Sequence, residues 1–417
     1  MSINPLSPSA RLAVLAAAFT GLVFDGVELG LMPIASLSVS KGLMGEAYTA
    51  TLGGEWFARF TAALMLGAAV GGIALGNLGD RIGRTRAMGI SILFYSFFAA
   101  LGALATSQEQ MLLLRFLVGL GVGGMWPNGV ALVAECWPEA SRPLVSGVTS
   151  AGLNAGILLL SQLARIWPIT AESWRWVFKL SGVPAALGIV VLLALPESPK
   201  WLASRGEEGG PTSSPRLREL FRPDLLRATL TGILLSSIPM VGAWAASKWM
   251  IPWADKVAGA SNVGYKAATQ GWWALGATLG CLAGAWLASR LGRRASYLLI
   301  SVGSAAMTFA MFQLTAPLRP SFHPVVFTQG FVATLFFGWL AVFLPELFPT
   351  RVRASGAGLA YNSGRFATAA GVLLAGILFA ALGGDYPRVG AVCSLIYALG
   401  VPVIWLAPAT VDESLRG

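Results

Sequence analysis

About twenty consecutive apolar residues carry a helix across the hydrocarbon of a bilayer, and this chain contains twelve such stretches. They run approximately over 11–35, 56–78, 86–106, 109–134, 143–166, 174–195, 226–250, 265–289, 295–315, 323–345, 355–382 and 386–408. Inside hydrocarbon, every backbone N–H and C=O must be bonded within the protein, so continuous apolar spans of this length are read as helices. The expectation is an all-α integral membrane protein with twelve transmembrane helices.

Composition agrees with that reading and excludes others. Only 12% of the 417 residues are charged, against about 25% in soluble domains. Mean hydropathy is +0.69. A soluble globular domain, a disordered chain and a collagen-like repeat are all set aside. The 50 glycines and 23 prolines suit membrane helices, where small residues let backbones approach. The first span holds Asp25 and Glu28 and is too long for a cleaved signal peptide.

Cys136, Cys281 and Cys393 are scattered and the single histidine is His323. A disulfide framework, a metal centre and a Ser/His triad are therefore not expected. No P-loop is present, and Gly119-x-Gly121-x-Gly123-Gly124 lies within a span with no strand before it. It reads as helix packing rather than a dinucleotide fingerprint. An enzyme, a cofactor and a nucleic-acid partner are not expected, and the formal charge of +10 is assigned to the membrane.

With the N-terminus placed in the cytoplasm, the inner segments collect Arg81, Arg84, Arg86, Arg142, Arg290, Arg293, Arg294, Arg351 and Arg353. This is the positive-inside bias, and it puts both termini in the cytoplasm. The long inner connection 196–225 contains proline, glycine and mixed charge. It reads as a linker, with a short amphipathic helix at Pro215–Arg222. The chain accordingly divides into an N-terminal six-helix bundle at 1–195, a cytoplasmic linker at 196–225 and a C-terminal bundle at 226–417.

Two motifs recur across that divide. Glu135-x-x-Pro138-x-x-x-Arg142 returns as Glu346-x-x-Pro349-x-x-x-Arg353, 211 positions later. Asp80-Arg81-Ile82-Gly83-Arg84 returns as Ser289-Arg290-Leu291-Gly292-Arg293, 209 positions later. The order and near-constant offset indicate duplicated halves, and an even number of spans per half makes the repeat parallel.

Gly76-x-Leu78-x-Asp80-Arg81-x-Gly83-Arg84-x-Arg86 resembles the signature loop of the major facilitator superfamily. Arg115-Phe-x-x-Gly119-x-Gly121-x-Gly123-Gly124 resembles its fourth-helix motif. Pro196-Glu197-Ser198-Pro199-Lys200-Trp201-Leu202 and Pro345-Glu346-Leu347-Phe348-Pro349-Thr350-x-x-Arg353 resemble segments of the sugar-porter and organic-ion branches. Asp25-Gly26-x-Glu28 resembles the acidic motif of the aromatic-acid:proton symporters. Two departures stand out: Ser289 replaces the acid of the first loop, and span five lacks the glycine–proline motif of drug:proton antiporters. The resemblance implies two pseudo-symmetric six-helix bundles that rock around a central site. It also implies gating by Gly76, Asp80, Arg81, Gly83, Arg84, Glu135, Arg142, Glu346 and Arg353.

Ionisable residues inside spans are expensive and are functional candidates by default. Asp25 lies roughly 21 Å into span one at 1.5 Å per residue, and Glu28 follows on the same face. Either acid can carry a proton, and Arg115 in span four can pair with either, as a switch or as a structural tie. Arg365 in span eleven offers a planar fork for a carboxylate, sulfonate or phosphate, or a partner for Asp25 or Glu28. Its repeat-related position is Asn154. Asn154, Tyr361, Asn362 and Gln329 can complete a substrate site or simply join helices.

Elsewhere, Lys248 is placed at the outer end of span seven, snorkelling to water. Trp167, Trp174, Trp176, Trp249 and Trp253 are placed at interfaces, and Glu55 with Arg59 as a local pair. Trp126, Trp244, Trp272, Trp273 and Trp339 are packing residues or ring platforms.

The expected function is secondary active transport of a small organic anion of the carboxylate-metabolite type, in symport with protons. The chain would act as a monomer in the plasma membrane, the inner membrane if bacterial. A sugar or other neutral-solute carrier is the alternative, followed by an organic-cation carrier, an efflux antiporter and a non-transporting receptor.

Overall fold

Ser7 starts the first helix by accepting a hydrogen bond from the Ala10 amide at 3.2 Å, with Pro8 at the first helical position, where its missing N–H is harmless. Ser107 caps the helix that begins at Gln108 in the same way through the Gln110 amide, and Asp385 caps the one that begins at Tyr386 through the Arg388 amide. In this computed structural model, residues 6–137, 142–206, 217–349 and 352–407 are described. Among them there is no strand.

The spans are α1 (Pro8–Met44), α2 (Ala50–Ile82), α3 (Arg84–Leu101), α4 (Gln108–Cys136), α5 (Arg142–Ile166) and α6 (Arg175–Ala194). They continue as α7 (Pro223–Asn262), α8 (Tyr265–Leu291), α9 (Arg293–Gln313), α10 (Phe322–Glu346), α11 (Arg353–Ala381) and α12 (Tyr386–Leu406). Eleven are long and apolar enough to cross a membrane, and α5 adds a shorter apolar stretch at Ala151–Ile166.

Several boundaries differ from the hydropathy reading. α7 runs well past 250, because the polar-looking Asp255 and Lys256 lie on its helical continuation, Met250–Ala258. It is not uniform. After Pro239, which removes a backbone donor, the chain forms a π-turn at Gly242–Ala246 and a 3₁₀ turn at Ser247–Trp249.

The linker carries a helix at Pro199–Gly206 that was not expected, and a 3₁₀ turn at Leu217–Phe221 in place of the amphipathic helix at Pro215–Arg222. Trp167 is exposed as expected. Trp174, Trp249 and Trp253 are buried within the protein. Trp249 stacks on Phe379 at 4.9 Å and meets Phe57 edge-on at 5.0 Å.

The chain forms two compact units. One contains Met1–Tyr48, Ala63–Leu163 and Trp167–Thr212; the other contains Thr49–Ala62, Ala164–Ile166 and Ser213–Gly417. Each is built on glycines that admit a neighbouring backbone. In the first unit, a Cβ on Gly67 or Gly71 would lie 2.1 or 2.0 Å from the Phe116 or Leu120 carbonyl oxygen. In the second, a Cβ on Gly276 or Gly280 would lie 2.1 or 2.0 Å from the Phe327 or Phe331 carbonyl oxygen. The α2–α4 contact thus recurs as α8–α10, at the same 209 and 211 offsets as the sequence motifs.

Candidate functional site

In the first unit, α1 is buried without interruption from Asp25 to Ser40. Two acids on such a helix must find partners inside the protein. Arg115 reaches in from α4, and its Nη1 lies 3.1 Å from Glu28 Oε2. Asp25, Glu28 and Arg115 are all at most 1% exposed. The guanidinium carbon lies 5.3 Å from the centre of the Phe178 ring, so an apolar wall backs the charge. Glu28 is therefore a direct ion-pair partner of Arg115. Asp25 lies one turn before Glu28 on the same buried helix, so two carboxyl groups share this part of the span.

The conserved-looking loop elements form an ionic network in each unit. Arg84 bridges Asp80 at 2.6 Å and Glu135 at 3.4 Å. Arg293 holds Glu346 through two parallel bonds of 2.9 and 2.6 Å, the strong bidentate geometry. The Arg–Glu pair is thus duplicated. The acidic bridge is not, because Ser289 bonds the Trp286 carbonyl of its own helix instead.

Gly83 has φ +111° and Gly292 has φ +79°, a backbone region that a side chain disfavours. This explains the glycine in both copies of the loop. Gly76 faces no crowding beyond ordinary contact with Pro127, and Arg81 is exposed at the end of α2. Arg353 donates its Nε to the Phe348 carbonyl. The side chain of Arg142 lies outside the described residues.

Glu197 joins the first network, and the sequence reading gave it no role. Its Oε1 accepts from the Thr85 amide at 3.0 Å and the Ser198 amide at 2.9 Å. A carboxylate at the start of α3 is favoured by the helix dipole. Ser198 donates to Glu135, and Trp201 Nε1 donates to the Asp80 carbonyl at 2.9 Å. The signal in the sequence was an acid in a proline-bounded turn.

In the second unit, Arg365 is half-buried on α11, with its guanidinium carbon 5.9 Å from the Tyr361 ring centre. Asn362 bonds the Gly358 carbonyl one turn back. Asn154, in the first unit, is 9% exposed. Gln329 is fully buried and committed to its neighbours. Its Oε1 accepts from Trp273 Nε1 at 2.9 Å, and its Nε2 donates to Ser247 at 2.6 Å and Thr308 at 3.0 Å. It joins α7, α8 and α9 to α10 and is a positioning residue.

Lys248 overturns its expected placement: it does not snorkel. It is 1% exposed, because α7 continues past it as helix. Its Nζ lies 3.2 Å from the centre of the Trp273 ring and 5.6 Å from that of Trp244. Trp272 is half-exposed and stacks on His323, whose ring also bonds Thr269. Trp339 donates to the Arg293 carbonyl and belongs to packing. Glu55 and Arg59 form the expected local pair at 2.9 Å.

A family model described as Major Facilitator Superfamily matches residues 13–372. A probable 4-methylmuconolactone transporter of Cupriavidus pinatubonensis is 30% identical over 402 residues, spanning 94% of this chain and 90% of the relative. A cis,cis-muconate transport protein of Acinetobacter baylyi is 29% identical over 384 residues, spanning 88% and 87%. The xylose transporter XylE from E. coli, in a partially occluded inward-open conformation, matches with a TM-score of 0.76 at 16% identity. That match covers 97% of this chain and 99% of the other, and it is a likeness of fold.

Proposed function

The chain belongs to the major facilitator superfamily, and from that premise we propose that it carries a small organic anion of the carboxylate type, in symport with protons, by alternating access. The observation that carries the reading is the buried cluster of Asp25, Glu28 and Arg115. Its two carboxyl groups are titratable groups buried within a membrane span. The relatives named for muconate and methylmuconolactone support a carboxylate-type cargo. Arg365, with Tyr361 beside it, is the basic group assigned to the substrate, and Asn154 and Asn362 add amide hydrogen-bonding capacity. A neutral-solute carrier is the second reading, drawn from likeness of fold to a xylose transporter and from an arabinose-proton symporter of Bacillus subtilis that is 27% identical over 355 residues. The positive-inside bias puts both termini in the cytoplasm of a plasma-membrane protein, and the carrier works as a monomer. The ionic networks around Glu135 and Glu346 serve as its gates.

The test is uptake of labelled cis,cis-muconate and benzoate into proteoliposomes under an imposed pH gradient. Arg365→Ala should lower uptake efficiency by about 30-fold or more, the usual consequence of removing a charged partner from an ion contact. Unchanged uptake in a folded Arg365→Ala protein removes Arg365 from the substrate site. Asp25→Asn should retain solute exchange while losing accumulation driven by the pH gradient. Full proton-driven accumulation in that variant rejects Asp25 as the proton carrier.

A further inference from the structure

We infer that Lys248 and Trp273 form the carboxylate-recognition site of the second unit, suited to an anion carried on a flat unsaturated or aromatic body. The inference rests on the organic-anion reading above and assigns that reading a residue pair it does not need.

The amine is the first observation. Lys248 is 1% exposed, and its Nζ has no hydrogen-bond partner. The next acid along the same helix, Asp255, is bonded to Lys266 at 3.0 Å. A buried ammonium without an anion is among the most expensive groups a membrane span can hold. Two indole faces answer its charge, Trp273 at 3.2 Å and Trp244 at 5.6 Å from ring centre to Nζ. A ring quadrupole offsets part of the lost hydration, and a carboxylate offsets more. A lysine with a structural role alone would be replaced without loss by methionine, which fills the same space with no charge to satisfy.

The second observation is the backbone. Lys248 lies where α7 leaves α geometry, in the 3₁₀ turn that follows the π-turn at Gly242–Ala246. Departures of this kind within membrane helices collect at binding sites, where they re-aim side chains and free backbone groups.

The third observation is the support. Gln329 holds the Trp273 indole N–H at 2.9 Å and the Ser247 hydroxyl at 2.6 Å. Ser247 also meets the Tyr397 hydroxyl at 3.2 Å. One amide therefore fixes both the ring and the residue preceding the lysine. Such preorganisation is what a recognition site requires and what a passive packing contact does not. Without ligand, the ring shields the ammonium. With ligand, the carboxylate takes the ammonium, and the indole faces of Trp273 and Trp244 receive the flat body.

The experiment compares wild type, Lys248→Met and Lys248→Arg in proteoliposome uptake of cis,cis-muconate and benzoate, with benzamide as the uncharged competitor. Lys248→Met should raise KM by about 30-fold or more, and Lys248→Arg should stay within about tenfold of wild type. Benzamide should compete no better than weakly in wild type and as well as benzoate in Lys248→Met. Wild-type protein that takes up neither carboxylate refutes the organic-anion reading and this inference together. Wild-type uptake with an unchanged KM in Lys248→Met refutes this inference alone.

If Lys248→Met does not fold, tryptophan emission decides. Benzoate should alter the emission of wild type, and most of that change should vanish in Trp273→Phe. An undiminished change in Trp273→Phe overturns the site.

Discussion

Replacing Arg115 with leucine is expected to destabilise the protein by about 3–5 kcal/mol, the usual result of removing one member of a buried ion pair. Arg115 is fully buried, and Glu28, 3.1 Å away, has no access to water that could replace the guanidinium. The variant leaves Glu28 and Asp25 on one buried helix face with no cation from α4. A fall of roughly 5–10 °C in the thermal midpoint of the detergent-purified protein corresponds to that loss. Substituting both partners, Glu28→Leu with Arg115→Leu, should recover most of the stability, because two apolar side chains leave no charge unpaired. The double variant should nevertheless lose proton-driven uptake, since the cluster retains a single acid and no base. A single Arg115→Leu protein as stable as wild type would show that the pair contributes nothing to the folded state.

Gly280→Leu is expected to have the other large effect. Even a methyl group at this position would lie 2.0 Å from the Phe331 carbonyl oxygen and 2.8 Å from its carbon. Backbone atoms cannot rotate aside, so α8 and α10 must separate. The separation breaks a repeated contact, because Gly276, Gly284, Gly330 and Gly338 meet backbone just as closely along the same seam. Overpacking in a tight core typically costs about 1–3 kcal/mol, and this seam has no flexible side chain to absorb it. Folded protein recovered as a single peak after detergent extraction should fall to a small fraction of wild type. Gly358→Ala is the control: a Cβ there meets nothing within 4 Å, and alanine favours the helix by about 1 kcal/mol. Equal recovery of Gly280→Leu and Gly358→Ala would refute the packing account.

Much of this architecture was legible before any coordinates. Span number followed from apolar length, and the duplicated halves followed from two short motifs at one spacing. The pairing within those motifs was less accessible. Glu135 and Glu346 were placed in the gates without a named partner, and the structure joins them to Arg84 and Arg293 from the preceding loops. Spacing along a chain cannot reveal a partner brought in by another helix. The same reason left Asp25 and Glu28 equivalent in the sequence, whereas the structure shows Arg115 bonded to Glu28. Lys248 was misplaced for a different cause. Hydropathy ended the seventh span at 250, ahead of Asp255 and Lys256, so a lysine in the interior of a long, broken helix looked like one near its end.

The burial of Lys248 also bears on how the chain is made. A lysine at the centre of a span opposes insertion by about 2.5–3.5 kcal/mol, and the two groups that accommodate it are synthesised later. Trp273 arrives with the next span, and Gln329, which orients Trp273, arrives with the third span after α7. At ordinary rates of translation, Gln329 follows Lys248 by roughly 4–16 s. During that interval the nascent α7 holds its lysine with only the Trp244 ring of its own span beside it. Its final seat in the bilayer is therefore settled by α8 and α10, so the seventh span is among the last of its unit to be locked, although it is the first whole span of that unit to leave the ribosome.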